Sequence, residues 1–270
     1  MQKIKRARAY NRALDQLRPI SLDYNVFGYA PGSVLFTQGN TKVLCSVSMQ
    51  PSVPPFLKGT RSGWLTAEYA MLPTATQSRT NRESSSVKRN GRSVEISRLI
   101  GRALRTCIDL SKLGERTILV DCDVLQADGS TRTACITAAN YALQAAQEHW
   151  LACNIIDDNI IIERVAAVSV GIADGQALLD LDYEEDSSID ADFNIVLTGS
   201  GDIVEMQGAA ENAVVSWQQF DTIKELALSA TQKLFKICDA QRPSEELAVT
   251  GNKQRKMQPR KAPLFSIQNR

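Results

Sequence analysis

The residues best suited to chemistry stand together at Cys122–Ala134, Cys-Asp-Val-Leu-Gln-Ala-Asp-Gly-Ser-Thr-Arg-Thr-Ala. Upstream, Ile118, Val120, Cys122 and Val124 alternate with Leu119, Asp121 and Asp123, close to the period of two of a half-buried strand. Downstream, Ala134–Trp150 is rich in Ala, Leu and Gln and free of Gly and Pro, which suits a helix. The small polar turn between them therefore sits at a helix N-terminus. There, unpaired N–H groups and the positive end of the helix dipole favour an anion. Thr131 adds a hydroxyl and Arg132 a forked cation, the geometry that suits phosphate. On spacing alone, the same turn also reads as an ordinary cap.

Other residues offer charge rather than nucleophiles. Asp180, Asp182, Glu184, Glu185, Asp186, Asp190 and Asp192 form an acidic cluster. On a strand, 180, 182, 184 and 186 would share one face. Crowded carboxylates repel unless a cation, base or water separates them, and oxygen ligands alone suit Mg²⁺ or Mn²⁺. A solvated acidic edge would look the same. Lys88-Arg-Asn-Gly-Arg92 is a basic loop just before a helix. No nucleophilic triad is visible. The lone His149 falls near a helix end, and no cysteine has an evident basic partner.

The elements that must position these groups follow from periodicity. Ser33–Thr37 and Lys42–Ser48 flank Gly39-Asn40 as a hairpin, and Gly63–Leu72 follows as a strand. Residues 73–91 read as a long polar loop. Ser93–Leu110 carries one apolar stripe, Ile96, Leu99, Ile100, Ala103, Leu104, Cys107 and Ile108, and reads as a helix. Arg98, Arg102 and Arg105 lie off that stripe, as an RNA-facing row or as a solvated face with acidic partners. Asn154–Asn159 is a candidate lobe boundary. Ile160–Gly171 and Ala177–Tyr183 flank Asp174-Gly175, a type I′ hairpin signal. Phe193–Thr198 and Asp202–Gln207 flank Gly199-Ser-Gly201 as a further hairpin. Ser216–Cys238 is the last helix, with Ser216 and Gln219 as a capping box. Strands and helices in this order suit an α+β fold with two lobes.

Composition sets the bounds. A chain of 270 residues with 43% hydrophobic and 23% charged residues can bury a real core. No apolar run is long enough to span a bilayer, and the N-terminus lacks a signal-peptide core. Six cysteines without CxxC spacing read as buried, reduced thiols, and the expected location is cytoplasmic. The net charge of +1 hides an asymmetry. Every acidic residue lies at or before Glu246, while Lys253, Arg255, Lys256, Arg260, Lys261 and Arg270 follow it. Such a tail binds phosphate backbones or is simply a solvated, disordered end.

The Cys122–Ala134 stretch resembles the signature of the ribonuclease PH family, phosphate-dependent 3′-to-5′ exoribonucleases of bacteria. Asp15–Pro19, Gly32–Leu35, Thr41–Cys45, Gly63–Tyr69, Arg98–Arg105 and Asp180–Asp186 agree with it in order, from about Arg8 to about Gln241. The resemblance implies a ribonuclease PH-like fold (ribosomal protein S5 domain 2-like). It implies two βαβα-type units in one compact domain over residues 1–245, with the boundary near 152–160; the basic tail over 246–270 lies outside the resemblance. It further implies phosphorolysis of tRNA precursor 3′ ends, and some rRNA, with inorganic phosphate as co-substrate. By the same resemblance Arg92 is catalytic and contacts phosphate with Ser130, Thr131 and Arg132. Asp186 and Asp192 are the metal-linked pair for Mg²⁺ or Mn²⁺, with Asp186 catalytic. Arg79 and Arg82 support packing between subunits of a homo-oligomeric, hexameric ring, with no membrane partner. Three departures stand out: Ser130 where the family commonly has Gly, Thr74 where it usually has Arg, and Tyr10-Asn11 where Asp-Gly is usual. Two rival readings fit less well. A non-catalytic ring subunit has no need of Arg92, Thr131, Arg132, Asp186 and Asp192 together. A metal-dependent hydrolase leaves the Ser130–Arg132 turn without a task.

Overall fold

The computed structural model describes residues 8–83 and 90–243. Two sheets organise them. The first contains β1 (Ile20–Tyr24), β2 (Gly32–Gln38), β3 (Thr41–Gln50), β4 (Trp64–Met71) and β5 (Thr117–Gln126), in the spatial order β1-β2-β3-β5-β4. All neighbours are antiparallel except β4 and β5. A parallel pair needs a crossover, and α1 (Gly91–Arg105) lies in it. From the end of β5 the chain enters α2 (Thr131–Ala152). The second sheet, in the order β7-β6-β8-β9, is antiparallel throughout: β6 (Val165–Ala173), β7 (Gln176–Leu179), β8 (Ala191–Thr198) and β9 (Ile203–Ala210). The short α3 (Tyr183–Asp186) links β7 to β8, and α4 (Trp217–Asp239) follows β9. The fold is α+β, with helices packed on two sheets.

The central helix explains the layering. Ala134, Cys135, Ile136, Ala138, Ala139, Tyr141, Ala142, Leu143 and Ala146 of α2 are all buried. A helix that is apolar nearly all round must be covered on more than one side. α2 packs on β2 and β3 of the first sheet and on β6 of the second. Its many alanines let both sheets come close. Among the described residues, no helix is long and apolar enough to cross a membrane. All six cysteines are free, five of them buried.

Local signals hold at the turns. Asp174 and Gly175 have φ 48° and 77°, as a type I′ hairpin requires. Ser216 and Gln219 form the capping box of α4. The first long helix, however, stops at Arg105 rather than Leu110. Ile108 instead bridges to Ile161, and Asp109 caps a 3₁₀ turn over Leu110–Leu113.

The acidic stretch departs most from expectation. Residues 180–186 are not a strand with four carboxylates on one face. Asp180 adopts φ 58°, which breaks an extended chain. Asp182 then caps α3 in a capping box with Glu185. The cluster splits as a result. Asp180 is fully buried against Arg18, itself 1% exposed. Arg18 Nη2 and Nε donate to Asp180 Oδ1 at 2.7 and 3.1 Å, and Arg18 N donates to Oδ2 at 2.7 Å. Gln38 Nε2 adds a bond at 2.8 Å. Arg12 Nη2 donates to Asp182 and Glu185, and Arg8 Nε to Glu185 at 2.6 Å. Three of the acids are thus structural.

Burial alone would raise the Asp180 carboxyl, but the charge and hydrogen bonds of Arg18 hold it below the ordinary aspartate value. A depressed folded value stabilises the fold above the unfolded value, about 3.9, and that stabilisation is lost as pH falls through the folded value. Asp180→Asn leaves Arg18 buried and uncompensated. We expect a loss of about 3–5 kcal/mol in urea unfolding at neutral pH, and a smaller difference from wild type in acid. Equal stability of the two proteins at pH 7 would refute this.

Candidate active site

The turn between β5 and α2 is held in a conformation that few residues accept. Gly129 has φ 73°, and a Cβ there would lie 2.5 Å from Leu181 O. Ser130, the N-cap of α2, has φ 56° and ψ 26°. A side chain in this left-handed region costs about 1 kcal/mol relative to Gly. Its hydroxyl offsets that cost: Oγ donates to Leu181 O at 2.8 Å and lies 2.6 Å from Ser169 Oγ. The Ser130 hydroxyl therefore faces the second sheet rather than a ligand. It gives α2 no side-chain cap, so the leading N–H groups of the helix keep no side-chain acceptor. Ser130 offers an anion its place at this N-terminus, not its hydroxyl.

Thr131 and Arg132 follow on the first turn of α2. Thr131 is buried and takes a hydrogen bond from Tyr69 Oη of β4 at 3.2 Å. Arg132 is braced from two other elements. Its Nη1 donates to Gln207 Oε1 of β9 at 2.8 Å and lies 3.5 Å from Glu95 Oε1 of α1. Neither Nε nor Nη2 of Arg132 has an acceptor among the described residues. Arg92 stands at the start of α1, where Asn90 Oδ1 accepts its backbone N–H at 3.0 Å. Its side chain is exposed and forms no ion pair among the described residues.

The acids arrive from the second sheet. Asp186 ends α3, its N–H donating to Asp182 O. Asp192 lies on β8, between Gly171 of β6 and Ala209 of β9. Although Asp186 reaches solvent, partial burial raises its carboxyl above the ordinary value, and the charges of Asp192 and Glu211 raise it further. Arg92 and Arg132 pull it back down. Those couplings bring Arg92, Arg132, Asp186 and Asp192 into one electrostatic group, drawn from α1, α2, α3 and β8. Among the described residues, no group of three or more His, Cys, Asp or Glu side chains could hold a metal ion. Two repelling carboxylates fit a divalent cation whose shell is completed by phosphate and water oxygens.

The other candidates lie elsewhere. Arg79 and Arg82 are exposed on the segment after β4, and the charge of Arg82 reaches Asp123 on β5. Arg102 pairs with Glu205 at 3.1 Å. Arg105 stacks on Trp64 at 4.6 Å and donates to Leu65 O. These two are occupied structurally; Arg98 remains exposed. Lys88, Arg89 and the basic tail fall outside the described residues. Sequence reasoning missed Tyr69, Arg18 and the braces on Arg132. Leu65, Ala67 and Tyr69 share the buried face of β4, a periodicity that went unread, and nothing local says what Tyr69 touches.

Comparison with known proteins is unambiguous. Residues 16–147 match the model of the 3′ exoribonuclease family, domain 1, and residues 163–230 match domain 2. Ribonuclease PH of Bacillus subtilis is 53% identical over 224 residues, covering 83% of this chain and 91% of the relative. Ribonuclease PH of Neisseria meningitidis serogroup C is 53% identical over 217 residues, covering 80% and 90%. The chain belongs to the ribonuclease PH family. The ribonuclease PH-like fold also appears in solved structures. A chain of the Archaeoglobus fulgidus exosome with RNA bound to the active site superposes with a TM-score of 0.71 at 24% identity, covering 85% of this chain and 91% of that one. Rice (Oryza sativa) Rrp46 gives 0.69 at 20% identity, covering 85% and 97%.

Two measurements test the site's physics. Ser130→Ala and Ser130→Gly both lose the bonds to Leu181 and Ser169, but only Ala keeps the left-handed strain. The Gly variant should be the more stable by about 1 kcal/mol in chemical denaturation; a more stable Ala variant contradicts the assigned conformation. Asp186 holds its proton above the free value, so its folded form binds more protons than the unfolded chain. Its contribution to stability is therefore present at low pH and lost as pH rises through the folded value. Asp192→Asn removes the strongest charge contribution to this rise. The Asp186 carboxyl, followed by ¹³C NMR, should then titrate at lower pH; an unmoved titration would mean that the two carboxylates are not coupled.

Proposed function

We propose that inorganic phosphate binds at the N-terminus of α2, against Thr131 and Arg132, with Arg92 closing over it from α1. The chain is a phosphate-dependent 3′-to-5′ exoribonuclease, a nucleotidyltransferase that binds RNA and acts in tRNA processing. The observation that carries the placement is the meeting of two incompletely paired guanidiniums with an uncapped helix N-terminus.

Attacker and target are both anions. Two unit charges 4 Å apart cost about 4 kcal/mol at an effective dielectric near 20. Arg92 and Arg132 offset that repulsion, and Arg132, braced by Gln207 and Glu95, needs no reorganisation during reaction. An oxygen of hydrogen phosphate attacks the last phosphodiester. The bond to the preceding 3′ oxygen breaks, that oxygen takes the phosphate's proton, and a nucleoside 5′-diphosphate leaves. One P–O bond replaces another, so the reaction runs in both directions. Asp186 and Asp192 are the residues to hold Mg²⁺ or Mn²⁺. Such an ion, when bound, supplies charge neutralisation at the reacting phosphate or the leaving oxygen.

Finer readings rest on the same resemblance. The RNA is a tRNA precursor 3′ end, with rRNA as a second substrate. Residues 1–245 form the catalytic domain, with its internal boundary near 152–160; the basic tail over 246–270, outside the resemblance, tracks the RNA backbone by its charge alone. Subunits associate in a hexameric ring through Arg79 and Arg82. The exposure of both arginines supports that contact.

Purified protein is mixed with a tRNA bearing a short 3′ extension, Mg²⁺, and phosphate or none. Nucleoside diphosphates should appear only with phosphate; monophosphates released without it would overturn the phosphorolytic reading. Arg92→Ala should fold normally and lose about 10²–10³-fold in turnover, the usual effect of removing one preorganised electrostatic donor. Wild-type turnover would remove Arg92 from the site.

A further inference from the structure

Tyr69 lies on β4, whose residues Leu65, Ala67 and Tyr69 all face the core. Its ring is 2% exposed. A phenol so deeply buried needs a partner for its hydroxyl, because an unpaired one costs free energy. Among the described residues that partner is Thr131 Oγ1, 3.2 Å away. β4 is an edge strand of the first sheet and runs parallel beside β5, the strand that leads into the phosphate turn. Tyr69 thus reaches beneath the turn from the neighbouring strand.

The consequence is directional. A threonine hydroxyl has one proton and two lone pairs. When Tyr69 donates to Thr131 Oγ1, the Thr131 proton cannot point back at Tyr69. It has no other acceptor among the described residues. Thr131 is also the first residue of α2, at the N-terminus that has no side-chain cap. Its proton is left to face the anion. Burial pushes the Tyr69 phenol above its ordinary ionisation range, so the donor persists at neutral pH.

We propose that Tyr69 is a positioning residue for phosphate: its hydroxyl turns the Thr131 proton onto the bound anion. This rests on the reading that phosphate binds at Thr131. The test uses the full chain, with phosphorolysis measured over varied phosphate at saturating RNA. Tyr69→Phe frees the Thr131 hydroxyl to rotate and removes the donor that polarises it, and should raise the KM for phosphate about fivefold. The turnover number at saturating phosphate and the KM for RNA should stay within about twofold. Thr131→Val, which removes the hydroxyl itself, should raise the phosphate KM about tenfold, and adding Tyr69→Phe to it should change nothing more. Incorporating 3-fluorotyrosine at 69, a stronger donor of nearly the same shape, should lower the phosphate KM. That second variant covers the case in which Tyr69→Phe fails to fold. An unchanged phosphate KM in Tyr69→Phe or the fluorinated protein, with Thr131→Val impaired, overturns the role of Tyr69 alone. An unchanged phosphate KM in Thr131→Val overturns the placement of phosphate itself.

Discussion

The buried pair of Arg18 and Asp180 is the interaction on which the site depends. Asp180 lies six residues before Asp186, at the entry to α3. Arg18 also donates from Nη1 to Asp128 O, in the turn that leads into α2. A single guanidinium therefore joins the stretch that supplies the acids to the stretch that supplies the anion site. Arg12 strengthens the same joint by donating to Asp180 O. Buried ion pairs are poor sources of net stability, since desolvation offsets much of their attraction. Their directional hydrogen bonds are better suited to holding two sheets in one relation. Gly129, which has no room for a Cβ against Leu181, is a steric counterpart of that constraint.

Charge in this region falls into two sets that differ in pairing. Arg8, Arg12 and Arg18 are committed to Asp180, Asp182 and Glu185. Arg92, Arg132, Asp186 and Asp192 are left with incomplete pairing. The first set neutralises itself inside the protein. The second leaves charge of both signs without a full internal partner, at the expense of raising Asp186. Incomplete pairing is unfavourable for the isolated fold, and ligands of opposite sign relieve it. The site is thus electrostatically prepared for both an anion and a cation.

Ser130 illustrates how a local violation is absorbed. A residue with a Cβ stands at a left-handed position where Gly costs nothing. The hydroxyl that comes with that Cβ bonds Leu181 O and Ser169, so the turn is tied to the second sheet. The same choice removes the hydroxyl from the anion's reach. Tyr10 and Asn11 carry positive φ values of 64° and 51° in a similar departure, and Tyr10 Oη donates to Asn40 at 3.1 Å.

The strands other than β1, the hairpin turns and the four-turn or longer helices were legible in the residues, because their signals are local. Period-two alternation, Asp174-Gly175 and the Ser216–Gln219 box each act within a few residues. The strand-to-helix turn at 128–132 was legible for the same reason, and so was its suitability for an anion. Which of the acids stay unpaired was not. Asp180, Asp182, Glu184 and Asp186 are equivalent in sequence, and one strand face seemed to hold them all. Tertiary structure separated them, because Arg8, Arg12 and Arg18 arrive from the far N-terminal end of the chain. The capping box at Asp182 and Glu185 was a local signal that favoured a helical turn, and it went unread. Tyr69 under Thr131, and Gln207 and Glu95 on Arg132, have no local signal at all. Which carboxylates are neutralised, and which hydroxyl proton faces the ligand, depend on contacts between segments 37 to 177 residues apart, and only the packing of the two sheets around α2 brings those segments together.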